Sequence, residues 1–409
     1  MTNMQTIDSA GSRRLFEELG LRQVINGRSF STKCGGSLMD PEVVEAMREA
    51  SKHYFRIEDL QEAASQLISD VTGAEAGYIT SGASAALTLS MAACMTGLDP
   101  GKMNRLPDTV GMANEVIIQR GHRNDYDHAL RAAGARVRDV GYAYATFAYE
   151  LEEAFTSQTA AVFWLAGIRD GSLNLPEVVR IAHRHRVPVI VDASPQLPPR
   201  ENLRRFIAEG ADLVAFSGGK HIRGPQATGV LCGRKDLILA AALQHQDMDV
   251  FPETWSYREL IASGRLPGPP HHGIGRGFKV GKEEIIGLLV ALKRYMVRDV
   301  DAEIREWHNV VRFLANEINR ISGLHAEPSM HEDESRPLPA VHLTIDKSVE
   351  KLDAHGLINA LQEGDPMICV FEAQASKGLV IIYPDALRPG DAQIIVDRLS
   401  AIMHAQHAS

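Results

Sequence analysis

Seven short strand-like runs, most of them apolar throughout, alternate with segments of helical period between residues 75 and 233, and this alternation restricts the fold more than any other feature. The runs are EAGYIT (75–80), EVIIQ (115–119), RVRDV (136–140), TAAVFWLA (159–166), PVIVDA (188–193), ADLVAFS (211–217) and GVLCG (229–233). Helical spacing fills 42–53, 59–72, 83–97, 123–134, 175–186 and 202–209. Strands that stay apolar along their length are buried on both faces, the mark of a mostly parallel sheet with helices on either side. The spacing therefore predicts an α/β large domain over 41–280.

A long amphipathic segment, GKEEIIGLLVALKRYMVRD (281–299), is expected to bridge to a small α/β domain, the two together spanning 281–409. That domain reads as helix 301–321, strand AVHLTI (340–345), helix 353–362, strands MICVF (367–371) and LVIIY (379–383), and a closing helix 390–405. Residues 1–40 are expected to pack with it. The charged, proline-bearing HEDESRPLP (331–339) reads as a solvated surface loop. With 409 residues, 44% of them hydrophobic, the chain has enough apolar material for a large core and a smaller one.

Charge and cysteine usage remove several function classes. Lys and Arg number 43 against 52 Asp and Glu, net −9, with no basic block, which argues against a nucleic-acid partner. The N-terminal stretch has no apolar core of signal-peptide length and no run is long enough to cross a bilayer, so a cytoplasmic protein without a membrane partner is expected. Cys34, Cys94, Cys232 and Cys369 show no CxxC spacing, so neither a disulfide framework nor a zinc site is expected, and they read as small core residues or incidental thiols. The pair His271-His272 lacks a third ligand at a suitable offset, so no metal is expected.

In an open parallel sheet the ligand crevice lies beyond the strand C-termini, so polar residues just after strands carry the chemistry. Three stand in order. TSGASAA (80–86) follows a strand and opens a helix, where small residues and backbone N–H groups suit a phosphate. Asp192 ends PVIVD, and Lys220 ends ADLVAFSGGK in a bed of glycines. An ammonium is costly to desolvate, so a lysine in such a turn needs a task for its amine. A phosphate cup, a carboxylate and a lysine are what pyridoxal phosphate requires: the lysine forms a Schiff base with the aldehyde, the aspartate keeps the pyridine nitrogen protonated, and the helix terminus takes the phosphate. A P-loop does not fit, because FSGGKH lacks the GxxxxGK[ST] spacing.

The stretches VINGRSFSTKCGGSLMDPEVVEAM (24–47), TGAEAGYITSGASAALTLSMAACMTG (72–97), RGHRNDYDHALRAAGARVRDVG (120–141), VDASPQLPPRENL (191–203), GADLVAFSGGKHIRGPQATGVLCGRKDLI (210–238) and GIGRGFKVGKEEIIGLLVAL (273–292) carry a resemblance. They resemble the fold-type I pyridoxal phosphate enzymes, the aspartate aminotransferase-like transferase fold, within the selenocysteine synthase-like branch that includes D-glucosaminate-6-phosphate ammonia lyase-like proteins. The SGGKxxxGPQxG segment is the most specific of them. The resemblance implies Lys220 as the Schiff-base lysine, Asp192 as the pyridine partner, and Ser81, Gly82, Ala83 and Ser84 as the phosphate cup. It implies His122 stacked on the cofactor ring, with Ser194, Ser217, His221 and Gly224 as further cofactor contacts. Arg276, Lys279, Gln196 and Asn26 are the implied substrate contacts. The RGPQATG segment (223–229) resembles a loop that reaches the neighbouring subunit's cofactor, which implies a homodimer or larger assembly with shared active sites.

Relatives in the branch tend to place an arginine after the strand that here reads MICVF, where this chain has Glu372, so either the substrate carboxylate is expected to find another clamp such as Arg276 or Arg388, or substrate selectivity has changed. The core pattern begins by about residue 20 and the net charge is negative, so a tRNA substrate is not expected. The similarity implies elimination from a hydroxylated amino acid to a 2-keto acid and ammonia. A racemase or aldolase uses the same cofactor residues, and a catalytically silent cofactor-binding protein would have no need to keep Asp192 and Lys220 together.

Overall fold

The computed structural model describes residues 15–167, 170–245, 251–331, 336–346 and 352–408, the side chains of 407 and 408 excepted. The first fourteen residues of the N-terminal stretch, and 332–335 of the expected surface loop, lie outside the described residues. The chain divides into two compact units. The larger comprises Gly36–Val300 with Asp333–Arg336, and the smaller Met1–Gly35, Asp301–Glu332 and Pro337–Ser409.

Strand β1 (Val24–Gly27) belongs to the smaller unit, and the next seven build the larger one. These are β2 (Ala76–Thr80), β3 (Glu115–Gln119), β4 (Arg136–Val140), β5 (Thr159–Leu165), β6 (Val189–Asp192), β7 (Leu213–Ser217) and β8 (Gly229–Gly233). They form one sheet in the order β2-β8-β7-β6-β5-β3-β4. Neighbours from β7 to β4 pair in parallel, and β8 is antiparallel to both β7 and β2. Every residue of β5 is buried, as continuous apolar strands at a sheet centre should be. β4 lies at the edge, and its alternating charges RVRDV are what an edge strand tolerates.

The helix Ala83–Thr96 is apolar nearly all round and packs into the main core with Leu87, Leu89 and Met91 fully buried. Its buried hydroxyls are satisfied within the helix: Ser90 donates to the Ala86 carbonyl (2.7 Å) and Thr96 to that of Ala92 (3.0 Å). A helix so enclosed is held in place along its length, and its N-terminus opens directly beyond β2.

The boundary between units departs from the expected one. The helix Lys282–Val297 buries Ile285, Leu288, Ala291, Leu292 and Tyr295, and packs against the helix Pro41–Ala50 within the larger unit instead of opening the small domain. Arg294 bonds Asp40 (2.9 Å) and Glu42 (2.9 Å), tying the two helices at their ends. Amphipathic period identifies a buried face but not the partner that buries it.

The smaller unit contains β9 (Leu324–Met330), β10 (Pro339–Ile345), β11 (Met367–Val370) and β12 (Leu379–Ile382). Strands β12, β10 and β9 form an antiparallel sheet, while β1 and β11 pair in parallel. The helix Val300–Ile318 supplies Val311, Leu314 and Ile318 to its core. Two strands escape the sequence pattern: β1 is only four residues, and β9 carries a proline and mostly exposed positions.

Candidate active site

The C-terminal ends of β2, β3, β6 and β7 deliver the expected polar residues to the larger unit. Gly82 is the N-cap of the helix Ala83–Thr96 and takes φ +115°, a backbone region that a side chain strains to enter. Gly229, the first residue of β8, presses on it: a Cβ there would lie 2.5 Å from the Gly82 carbonyl carbon and 2.8 Å from the Ala83 nitrogen. The Ser81 hydroxyl donates to the Phe278 carbonyl (2.6 Å) and that of Thr80 to the Gly82 carbonyl (2.9 Å). A cavity of about 510 Å³ opens on this cup, lined by Ser81, Ser84, Asp125, Tyr126 and His128 among others.

His122 follows β3 in a single 3-10 turn and is 1% exposed. Its Nδ1 accepts the Leu165 backbone N–H (3.0 Å), which leaves the ring proton of the neutral imidazole on Nε2. The ring meets Trp164 edge-on, centroids 5.5 Å apart. Both residues line a second cavity of about 560 Å³ together with Gln196 and Phe206.

Asp192 ends β6 and is 3% exposed. Burial raises its pKa, while hydrogen bonds from the Ser194 backbone N–H (2.9 Å) and hydroxyl and the charge of Lys220 pull it back. Lys220, half-buried, shifts the other way. Burial lowers its pKa, the Asp192 carboxylate opposes that, and the Arg336 guanidinium adds to it. Burial thus disfavours the charged form of each group, while the charge of each favours that of the other. The lysine sits in a turn closed by Arg223 N–H to the Lys220 carbonyl (2.9 Å) and Gly224 N–H to the Gly218 carbonyl (2.9 Å). Arg223 takes φ +61° there, and the His221 carbonyl accepts from Arg298 (2.8 Å). Ser217 and Ser194 meet through backbone, the Ser217 N–H lying 3.4 Å from the Ser194 carbonyl.

The other expected contacts scatter. Gln196 is 2% exposed and donates to the Ala166 carbonyl (3.1 Å). Arg276 and Lys279 flank Phe278, whose carbonyl also accepts from His245 (3.0 Å), and the Arg276 charge helps hold the His245 pKa down, after burial. Asn26 belongs to the smaller unit, where its side chain donates to the Ser29 carbonyl (3.0 Å) and accepts the Arg28 N–H (3.0 Å). Arg388, also in that unit, lies 3.6 Å from Asp391, and Glu372 is paired with Arg28 (2.7 Å) and Lys33 (3.3 Å).

Arg336 is the residue the sequence did not point to. It lies within the segment 331–339 read as a solvated loop, yet it is 8% exposed and Leu338 only 1%. The loop reading is corrected there. Charge and proline suggest solvent, but burial is decided by the surroundings, which no local motif records.

The profile described as "SelA: L-seryl-tRNA selenium transferase" matches residues 24–249, more than half of the chain. The D-glucosaminate-6-phosphate ammonia lyase of Salmonella typhimurium is 32% identical over 403 residues, covering 97% of this chain and 99% of that protein. The chain belongs to the SelA family of fold-type I pyridoxal phosphate enzymes. A solved structure of a D-glucosaminate-6-phosphate ammonia-lyase superposes with a TM-score of 0.80 at 31% identity, covering 96% of this chain and 99% of that one. The 5'-C-glycyluridine monooxygenase-decarboxylase of a Streptomyces species is 30% identical over 397 residues, 95% of this chain and 92% of that protein. SelA-family membership implies pyridoxal phosphate, and the larger unit fits it. A desolvated carboxylate, an amine biased toward its free base and a helix N-terminus with a close-packed glycine behind it match the cofactor's pyridine nitrogen, aldehyde and phosphate. No helix among the described residues is long and apolar enough to cross a membrane.

Proposed function

We propose that this SelA-family enzyme eliminates the β-hydroxyl from an amino acid with a hydroxylated, sugar-like side chain, giving a 2-keto acid and ammonia. The observation that carries the reading is the end-to-end similarity to a D-glucosaminate-6-phosphate ammonia lyase, at 32% identity over 99% of its length. The second relative's name also joins an amino acid to a sugar framework, the glycyl group of a uridine, which supports the substrate class but names a different reaction.

Bound pyridoxal phosphate acts as an electron sink that makes the α-proton of an attached amino acid acidic. Ser81, Gly82, Ala83 and Ser84 would hold its phosphate at the helix N-terminus, with Asp192 taking the pyridine N–H and His122 covering the ring. Lys220, whose burial favours the free amine, would receive the α-proton at Nζ and deliver a proton to the departing hydroxyl. Arg336, buried and electrostatically coupled to Lys220, is the arginine that suits the substrate carboxylate, in place of Arg276 or Arg388. Ser194, Ser217, His221, Gly224 and Gln196 would steady these groups, while Arg276 and Lys279 are left to the substrate's side chain.

The test is to incubate the cofactor-loaded protein in deuterated water with D- and L-hydroxy amino acids, sugar-derived ones included, following α- and β-protons by NMR and ammonia and oxygen in parallel. Keto acid and ammonia, with KM raised about tenfold or more in Arg336→Gln through loss of a charged hydrogen bond, are the expected results. Deuterium at the α-carbon of an otherwise intact amino acid, in both configurations, would make it a racemase. Aldehyde release would make it an aldolase, and oxygen uptake with loss of carbon dioxide would place it with the Streptomyces relative.

A further inference from the structure

Ser81 ends a hydrogen-bonded chain that starts deep in the larger unit and that the proposed reaction does not use. Tyr78, in the middle of the buried strand β2, is 3% exposed. Its hydroxyl lies 3.0 Å from Nδ1 of His245, itself 5% exposed, and the two rings meet edge-on. His245 Nε2 lies 3.0 Å from the Phe278 carbonyl oxygen, which also accepts the Ser81 hydroxyl at 2.6 Å. The neighbouring Gln244 anchors the chain. Its side chain donates to the Thr96 hydroxyl (3.1 Å), and its carbonyl accepts the Gly275 N–H (2.9 Å), tying the turn Ile274–Phe278 to the end of the helix Lys235–Leu243.

Valence fixes the protons. A carbonyl only accepts, so Nε2 carries the imidazole proton, and Nδ1 of the neutral ring is left to accept the Tyr78 O–H. Burial, with the Arg276 charge behind it, holds the His245 pKa below its ordinary value against the pull of the Phe278 carbonyl, and burial keeps the Tyr78 phenol protonated. At the other end Ser81 has a single hydroxyl proton, and Phe278 holds it. So engaged, the hydroxyl can offer an anion only lone pairs, although Ser81 and Phe278 both line the cavity of about 510 Å³.

We propose that His245 is a positioning residue for the cofactor's phosphate: its Nε2–H keeps a donor on the Phe278 carbonyl and so frees Ser81 to turn its proton to a phosphate oxygen. That role rests on the reading of Ser81, Gly82, Ala83 and Ser84 as the phosphate cup. With His245 in place, Ser81 exchanges a neutral acceptor for a charged one and the carbonyl stays paired. Without it, the same rotation would strip the carbonyl of both donors, and an acceptor left unpaired away from water is costly. Tyr78 acts one step further back, by fixing the tautomer and orientation of the ring.

The full chain, freed of cofactor, is titrated with pyridoxal 5'-phosphate and with pyridoxal, which has the same ring and aldehyde but no phosphate, and binding is followed by visible absorbance. His245→Phe should weaken pyridoxal 5'-phosphate roughly tenfold, the size of one lost hydrogen bond to a charged group, and leave pyridoxal unchanged. His245→Gln, whose amide can donate to Phe278, should recover most of the affinity. In a Ser81→Ala background, itself weakened for the phosphate ester alone, His245→Phe should add nothing. Native affinity in His245→Phe, equal loss of both ligands, or a full second loss on top of Ser81→Ala would each overturn the proposal. If Ser81→Ala binds both ligands as the native chain does, the cup reading itself fails and this role falls with it. Should His245→Phe not fold, Tyr78→Phe, which removes only the hydroxyl that orients the ring, carries the same comparison, with a smaller loss confined to the phosphate ester.

Discussion

Lys220 shows how one side chain is set by its neighbours. Its amine leaves water at the end of β7, and the cost of burying an ammonium drives its pKa down, with the Arg336 charge adding to the shift and Asp192 resisting it. The sign follows directly. A lowered pKa means that the reactive free amine appears at lower pH than for an exposed lysine, which titrates near about 10.4. In the cofactor-free protein, limiting acetic anhydride should therefore acetylate Lys220 ahead of the surface lysines, with a pH midpoint below theirs, as read by peptide mass spectrometry. A midpoint in the ordinary lysine range would remove the electrostatic basis for Lys220 as the base. Glu372 illustrates the opposite case. It follows β11 and is bound to Arg28 and Lys33, whose hydrogen bonds and charges hold its pKa below the usual carboxylate range. Its place in the chain suggested a lost substrate contact, whereas its surroundings make it a clamp within the smaller unit.

Among elements, the contact of β8 with the cup is the one most exposed to test. Gly229 begins the one strand of the large sheet that runs against its neighbours, and that reversal brings its backbone against Gly82 and Ala83. The obstruction is backbone rather than a flexible side-chain end, so neither partner yields cheaply. Gly229→Ala should lose about 1–3 kcal/mol of stability and should release pyridoxal phosphate more readily during gel filtration, seen as loss of its visible absorbance. An unchanged melting temperature and full cofactor retention would show that the cup does not depend on this approach. The helix Lys282–Val297 makes a related point: its apolar stripe was plain in sequence, but its partner, the helix Pro41–Ala50, was not.

For the whole molecule, family membership favours an assembly of at least two chains, and the proposed shared sites require one. Sedimentation of the cofactor-loaded protein should give twice the chain mass or more, and dilution that separates the chains should reduce turnover in step with dissociation. A fully active monomer would contradict shared sites.

The sequence alone determined the α/β order, the seven strands of the large sheet and the succession of the small-residue turn TSGASAA, Asp192 and Lys220 after their strands. Each of these is written in local period or in residues that stand just after a strand, and local signals survive without the fold. Tertiary structure decided which unit holds the helix Lys282–Val297, that Arg336 is buried, and that Glu372 is a local clamp. Those are pairings between residues far apart in the chain. Spacing carries no record of them, because such contacts are chosen by how sheets and helices close around a core rather than by the residues on either side.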